Sequence, residues 1–368
     1  MKTHTRYRVL LLVGLLYGCS ITNANTLKES CEFVSEQQVL KIQASLDDSL
    51  FPIVDDGLWG FIDANGGIKI EPQFKDVDQF SEGLAAFKSP WDGRWGYVNT
   101  GGDVAIEAVF DAASRFYEGR AVVIVDGNRG FINADGEYIL RPLYDNARRF
   151  SEGRAFILTG SSWRMIDQNG EFINQNSYKQ VNSFHEGLAS FVGFNNEHDM
   201  SGYLNKEGEI AFLMADDLGV HIENIGFSNG RAIVSRPAPL SLSRFLDFSW
   251  DKVYGAIDPS GQVVVPIKYD YISLHSECVA VVQRNGRYGA IDLDGNVVIP
   301  LRYSYLGEFH EGLAVAQKHE GEKYGYINLE GKFVIEPLQD IDYPFQGSYQ
   351  LQNSSDSRNF YRGKALFR

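Results

Sequence analysis

Glu82-Gly83, Glu118-Gly119, Glu152-Gly153, Glu186-Gly187 and Glu311-Gly312 place a carboxylate beside a glycine five times. Glu277-Cys278 and Asn229-Gly230 vary the same word. Carboxylates in such numbers could ligate cations, bind amines, or act as the acid and base of glycoside hydrolysis. A catalytic centre, however, needs a constellation that occurs once. An acid that returns once per repeat is expected to cap a turn, its oxygens accepting backbone N–H groups beside the glycine. The other candidates for chemistry are weak. Glu197, His198 and Asp199 are adjacent in NNEHD (195–199) and would point to different sides of an extended chain, so a hydrophilic loop is expected there. DLDGN (292–296) lacks the later ligands and the bidentate Glu of a calcium loop. There is no Ser/His/Asp order, metalloprotease His pair, Gly-rich phosphate loop or Cys-x-x-Cys. No catalytic residue, metal ligand or cofactor is therefore assigned.

The frame that positions these acids is a repeat. A second word pairs an aromatic with Gly, followed by an aliphatic residue, Asp or Asn, and a later Gly: WGFIDANG (59–66), WGYVNTGG (95–102), RGFINADG (129–136), WRMIDQNG (163–170), SGYLNKEG (201–208), YGAIDPSG (254–261), YGAIDLDG (288–295) and YGYINLEG (324–331). The closing Gly precedes the second Gly of the acidic word, or Cys278 in its place, by 17 residues in six of seven cases; only 208 to 230 is longer, at 22. Constant length suits paired strands, in which a one-residue slip turns every side chain to the wrong face. From the acidic word to the next aromatic-Gly the distance varies between 11 and 25 residues. A surface connection absorbs that variation.

Each unit reads as three short strands. The first starts at an invariant Ala two residues past the acidic word (AAF 85–87, AVV 121–123, AVV 280–282), where the small side chain implies crowding. The aromatic-Gly run is the second strand. Asp63, Asn99, Asn133 and their counterparts then open a hairpin turn, with Gly accepting positive φ. The third strand, such as IKIEP (68–72) or VVIP (297–300), is expected to end at its Pro, which has no N–H for a ladder. Phe80, Phe116, Phe150, Phe184, Phe227 and Phe309 read as core plugs.

These units resemble the WG-repeat family of bacterial proteins (WG-containing β repeats, also KWG-type), named for pairs such as Trp59-Gly60 and Trp95-Gly96. The departures are Arg164 for Gly, Tyr for Trp in late copies, and Cys278 for the turn Gly. The resemblance implies an all-β tandem array of about eight units of roughly 34 residues, each a three-stranded meander, arranged as an open solenoid or a closed, propeller-like toroid. It carries no catalytic residues to transfer. One such unit is too small to bury its own apolar face, so neighbours must stack.

Outside the repeat, Lys2, Arg6 and Arg8 precede the apolar Val9–Tyr17, which is too short to span a bilayer. Residues 1–18 read as a signal peptide of lipoprotein type, with Cys19 lipidated; cleavage after residue 24 is the alternative and would release a soluble protein. Residues 19–49 form an N-terminal capping segment, 50–347 the repeat domain with an insertion at 211–253, and 348–368 a polar tail. The expected location is the cell envelope, either anchored to the outer membrane and facing the periplasm or soluble in the periplasm or medium. Membrane contact would be through the lipid alone. Cys31 and Cys278 are available for a disulfide, or as two free thiols. The chain of 368 residues has a formal charge of −14 and no basic cluster, which argues against nucleic acid as a partner. Its long 236–253 connection brings Arg236, Arg244, Phe245, Phe248 and Trp250 together as a candidate binding patch. Folding of the same loop over the core would bury them instead. A non-enzymatic binding scaffold follows, for an envelope protein or other ligand. A carbohydrate- or peptidoglycan-binding module, with Trp91, Trp163 and Trp250 as stacking surfaces, is the alternative. An envelope hydrolase ranks third.

Overall fold

The computed structural model describes residues 49–337, apart from 195–196, 215–220, 223–225, 239–251, 275, 277 and 311. The described residues form small antiparallel sheets that follow one another along the chain, and none of them is helical. The first sheet holds β1 (Phe51–Asp55), β2 (Leu58–Ile62) and β3 (Ile68–Phe74) in that order. The second holds β4 (Asp76–Val77), β5 (Leu84–Lys88), β6 (Trp95–Asn99) and β7 (Val104–Phe110). Later sheets repeat the second, apart from one of seven strands. The three strands read from the sequence are thus present, and most sheets add a fourth before them. In the second sheet that strand is only two residues long, too short to show any periodicity.

Both faces of a sheet are buried. Ala85, Phe87 and Val98 pack with Phe61, Ile70 and Phe74 of the first sheet. Ala86, Tyr97 and Ile106, on the other face, pack with Phe116, Ala121, Val123 and Ile132 of the third. This explains why LAAF and AVV are continuous apolar runs rather than alternating ones. It also explains the constant Ala, which is 0% exposed at Ala85 and 1% at Ala121. Each aromatic plug fills the space between sheets: Phe116 meets Tyr97 at a ring-centroid distance of 4.8 Å, and Phe150 meets Phe131 at 5.0 Å. Burying one such ring contributes about 2–3 kcal/mol.

The third strand does not stop at its Pro. β3 runs through Pro72 to Phe74 because the ladder bulges there instead of ending. In the second sheet Trp95 pairs with Phe110 and Tyr97 with Ile106, so a two-residue step on β6 faces a four-residue step on β7. The surplus backbone bows over Gly96, where an added Cβ would lie 2.5 Å from the Ile106 carbonyl oxygen and 2.7 Å from Ala108 N. Gly130 meets Leu140 in the same way. The Gly of the aromatic-Gly pair is therefore a requirement of the bulge.

Arg164 proves the rule from the other side. Its unit lacks a regular third strand, keeping only an isolated bridge between Ile166 and Phe172. The Arg164 guanidinium lies 3.6 Å from the Phe172 ring centroid and donates to the Asn174 carbonyl at 3.3 Å. With the third strand displaced, Trp163 pairs directly with Tyr178, and two repeat units merge into one seven-stranded sheet. Glu197–Asp199 open a strand (Glu197–Leu204) in that sheet, which corrects the expectation of a loop.

Candidate functional site

Antiparallel order sends the turns of every sheet to two ends. One end carries the acidic words and the Asx turns; the other carries the hairpin tips between the first and second repeat strands.

At the acidic end, Glu82 (φ 53°) and Gly83 (φ 82°) form the two central residues of a hairpin bracketed by the Ser81–Leu84 bridge. Positive φ at both residues is the type I′ pattern. The Glu82 carboxylate does not cap its own turn. It accepts the backbone N–H groups of Glu118 and Gly119, in the next unit, at 2.7 Å each. Glu118 accepts from Glu152 N and, at 2.7 Å, from Gly153 N. Glu152 accepts from Gly187 N, and Glu186 from Gly230 N, each at 2.8 Å. The expected capping role is present, displaced by one repeat. Ser81 Oγ adds a bond to the Phe116 carbonyl at 2.7 Å, and Ser151 Oγ one to Phe184 at 2.6 Å. Glu311 lies outside the described residues, and Gly312 keeps φ 77°. Cys278 takes the turn-Gly position at φ 63° and is disulfide-bonded. Cys19 and Cys31 lie outside the described residues.

The Asx turns sit at the same end. Asp63 Oδ1 accepts from Asn65 N at 2.9 Å and Gly67 N at 2.8 Å, and Asn99 does the same for Gly101 and Asp103. The N–H of Gly67, followed by the Lys69 ammonium and by the N–H of Asn65, holds the Asp63 carboxyl below its usual range. Asp292 belongs to this series: it accepts from Asp294 and Asn296 N–H groups, so DLDGN is a repeat turn.

The opposite end is built differently. Short tips there, such as Asp126-Gly127 (φ 51° and 80°), are held by the aspartate that follows the third strand. Asp111 accepts from Asp126 N, Asp145 from Gly160 N and Asp270 from Asn285 N, each at 2.6 Å. The recurring aromatic-Asp pairs at 110–111, 144–145 and 269–270 were the sequence signal for this contact, whose role the spacing alone did not disclose. In the second unit the tip is enlarged to residues 89–94. Ser89 is buried, Asp92 accepts from Arg94 N at 3.0 Å, and Arg94 pairs with Asp111 at 2.6 Å. The Arg94 N–H, followed by Ser89, keeps the Asp92 carboxyl low. This framework presents Trp91 at 93% exposure. Val109 and Leu143 are exposed on neighbouring third strands.

The other aromatic candidates fall elsewhere. Trp163 is 8% exposed and packs under Arg148, so it is core rather than a stacking surface. Arg236 is half-buried, donating to the Ile267 carbonyl at 3.2 Å. Arg244, Phe245, Phe248 and Trp250 lie outside the described residues. Among the described residues, no three His, Cys, Asp or Glu side chains come together as a metal site. The geometry offers an exposed indole on a hydrogen-bonded loop at one end and a hydrogen-bonded carboxylate ladder at the other.

No curated protein matches the sequence. Among solved structures, a eukaryotic initiation factor aligns with a TM-score of 0.49 and 11% identity, over 79% of this chain and 85% of the other. Virginiamycin B lyase from Staphylococcus aureus aligns at 0.31 and 11%, over 74% and 92%; the Neurospora crassa Pan2 WD40 domain gives 0.31 and 11%, over 74% and 86%. Likeness of this degree carries no argument about function. The family comparison is direct: the model for the WG containing repeat matches residues 59–89, 95–128, 130–163, 254–288, 288–321 and 324–338. With Gly60, Gly96, Gly130, Gly255, Gly289 and Gly325 all under the bulge that gives the repeat its shape, the chain is a member of the WG-repeat family.

Proposed function

We propose that this repeat scaffold is a non-enzymatic binding protein of the bacterial cell envelope, and that it engages its partner at the hairpin-tip end. The observation that carries the reading is Trp91, 93% exposed on a loop whose own hydrogen bonds hold it outward. A large aromatic kept in water by a built loop is the composition of a binding anchor. The long 236–253 connection leaves its sheet at this same end, between the strands Ala232–Pro237 and Lys252–Ile257. At the other end, Glu82, Glu118, Glu152 and Glu186 are engaged with backbone N–H groups, which favours a structural role over acid–base work. The envelope location rests on the N-terminal signal and on Cys19.

A glycan is the second reading, favoured by the neighbourhood of Trp91. An indole face stacks on a sugar ring, while Asp92 and Arg94 supply hydrogen bonds beside it. Retention on purified cell wall, compared between the full chain and Trp91→Ala, tests both readings. Retention lost with Trp91 supports the glycan. A protein ligand instead predicts no retention, together with envelope-extract partners that bind the wild type and are lost on Trp91→Ala. Partners indifferent to Trp91→Ala and to deletion of 237–249 would overturn the tip-end assignment. For the anchor, Cys19→Ala is expected to leave the membrane fraction; a variant that stays would defeat it.

A further inference from the structure

Tyrosine takes two positions in the last sheets that earlier sheets give to other residues. Tyr271 and Tyr305 open the first strands of their sheets, where Asp76, Ala112 and Asn146 stand earlier. Tyr288 and Tyr324 precede the bulge Gly, the place of Trp59, Trp95 and Arg129. Together the four form a continuous row. Ring centroids lie 6.4 Å apart from Tyr271 to Tyr288, 5.9 Å from Tyr288 to Tyr305 and 5.7 Å from Tyr305 to Tyr324. The middle contact crosses from one sheet to the next. The row begins at the hairpin-tip end, because Asp270, just before Tyr271, accepts from the tip residue Asn285.

This row is not core. Tyr269 and Tyr303 are each 1% exposed, whereas Tyr271 is 41% exposed and Tyr288, Tyr305 and Tyr324 are half-buried. Successive rings are inclined by 59°, 52° and 85°, so none lies flat on the next. Gln283 stands between Tyr271 and Tyr288 in one sheet and is the strand partner of both. It is half-buried. Among the described residues, neither its amide nor the Tyr271 and Tyr288 hydroxyls make a hydrogen bond. Burial, followed by the charge of Glu308, pushes the Tyr271 hydroxyl up to about 12, so it remains a donor at neutral pH. Arg284 and Arg287, both exposed, bound the tip that precedes Tyr288, so charges of both signs flank the row.

Aromatic rings with a planar amide between them suit a sugar. Its apolar C–H face stacks on the ring, and its vicinal hydroxyls, each both donor and acceptor, pair with the amide. We propose that Tyr271, Gln283 and Tyr288 form a subsite for a neutral pyranose, extended by Tyr305 and Tyr324, so that the row binds a linear, uncharged glycan. Three observations choose that occupant. Charges of opposite sign beside the row favour a ligand without net charge. Gln283 offers donor and acceptor together, whereas a proline-rich peptide, another guest of aromatic grooves, presents mainly carbonyl acceptors. The row runs unbroken from one sheet to the next, which suits a polymer better than a single small molecule. This subsite goes beyond the Trp91 reading and does not depend on it.

Titration calorimetry with cellohexaose, chitohexaose and a proline-rich decapeptide tests the proposal on the full chain and its variants. At least one hexasaccharide is expected to bind the wild type, and Tyr271→Ala should weaken it about tenfold, the size of one hot-spot contact. Tyr271→Phe keeps the ring and should keep most of the affinity. Gln283→Met keeps the volume, removes the amide and should also weaken binding. It carries the test if melting curves show that Tyr271→Ala unfolds. Trp91→Ala should leave hexasaccharide affinity unchanged. The proposal is overturned if neither hexasaccharide binds, if affinity is indifferent to both Tyr271→Ala and Gln283→Met, or if only the decapeptide binds. Binding lost with Trp91→Ala but kept in the Tyr271 and Gln283 variants would also overturn it, and would place the sugar at the Trp91 tip instead.

Discussion

The Glu82 carboxylate accepts the backbone N–H groups of Glu118 and Gly119, both at 2.7 Å, across the boundary between two repeat units. Glu118 repeats the contact with Glu152 and Gly153. An acid placed at positive φ carries a backbone cost, which the next turn's two N–H bonds offset. The carboxylate thus sets the spacing between units at the acidic end, as the aromatic plugs do in the core.

Removing one link should weaken the array by a modest amount. Glu118→Ala is expected to cost about 1 kcal/mol, the usual net worth of a solvent-accessible charge-assisted bond pair. Urea denaturation would measure it. A loss near zero would mean that water replaces the carboxylate without penalty.

The bulge leaves less tolerance. Gly130→Ala puts a methyl 2.5 Å from the Leu140 carbonyl oxygen and 2.7 Å from Pro142 N, both backbone atoms of the third strand. We expect a loss of about 3 kcal/mol, at the upper end for overpacked sites, in a denaturant titration. Near-neutral behaviour would show that the third strand moves away freely, as it has done beside Arg164.

Acid should act through the Asx turns. The folded-state pKa of Asp63 is depressed by the Gly67 and Asn65 N–H groups and by Lys69, so its contribution is present above the ordinary Asp range, about pH 4, and is lost as pH falls through the lowered value. Asp63→Asn keeps the accepting oxygen, as Asn99 and Asn133 do. Melting curves should show nearly equal stability at neutral pH and a smaller acid loss for the variant. Equal acid loss in both proteins would contradict the assignment.

Trp91 is expected to matter for binding and not for folding. Trp91→Ala should leave stability within about 0.5 kcal/mol, as for other exposed positions, and the indole should be fully open to acrylamide quenching in the wild type. A clear drop in melting temperature would show that the ring packs on a neighbour.

By itself the sequence determined the repeat, its register and its turns. Asp63, Asn99 and Gly66 were legible because an Asx turn is a local event, satisfied within five residues. Gly96 announced a special site by recurring. What it accommodates, a bulge in β7, is a relation between two strands and carries no local signature. The short β4 was illegible for the same reason: two residues have no period, and pairing with β5 alone makes them a strand. Arg164 was visible as a departure, but only the fold shows that its unit keeps a single third-strand bridge and shares one seven-stranded sheet with the next unit. The destination of each glutamate was likewise decided in three dimensions. Stacking brings the next turn's N–H groups within reach, and that distance is set by the aromatic core between the sheets, a property no single repeat possesses.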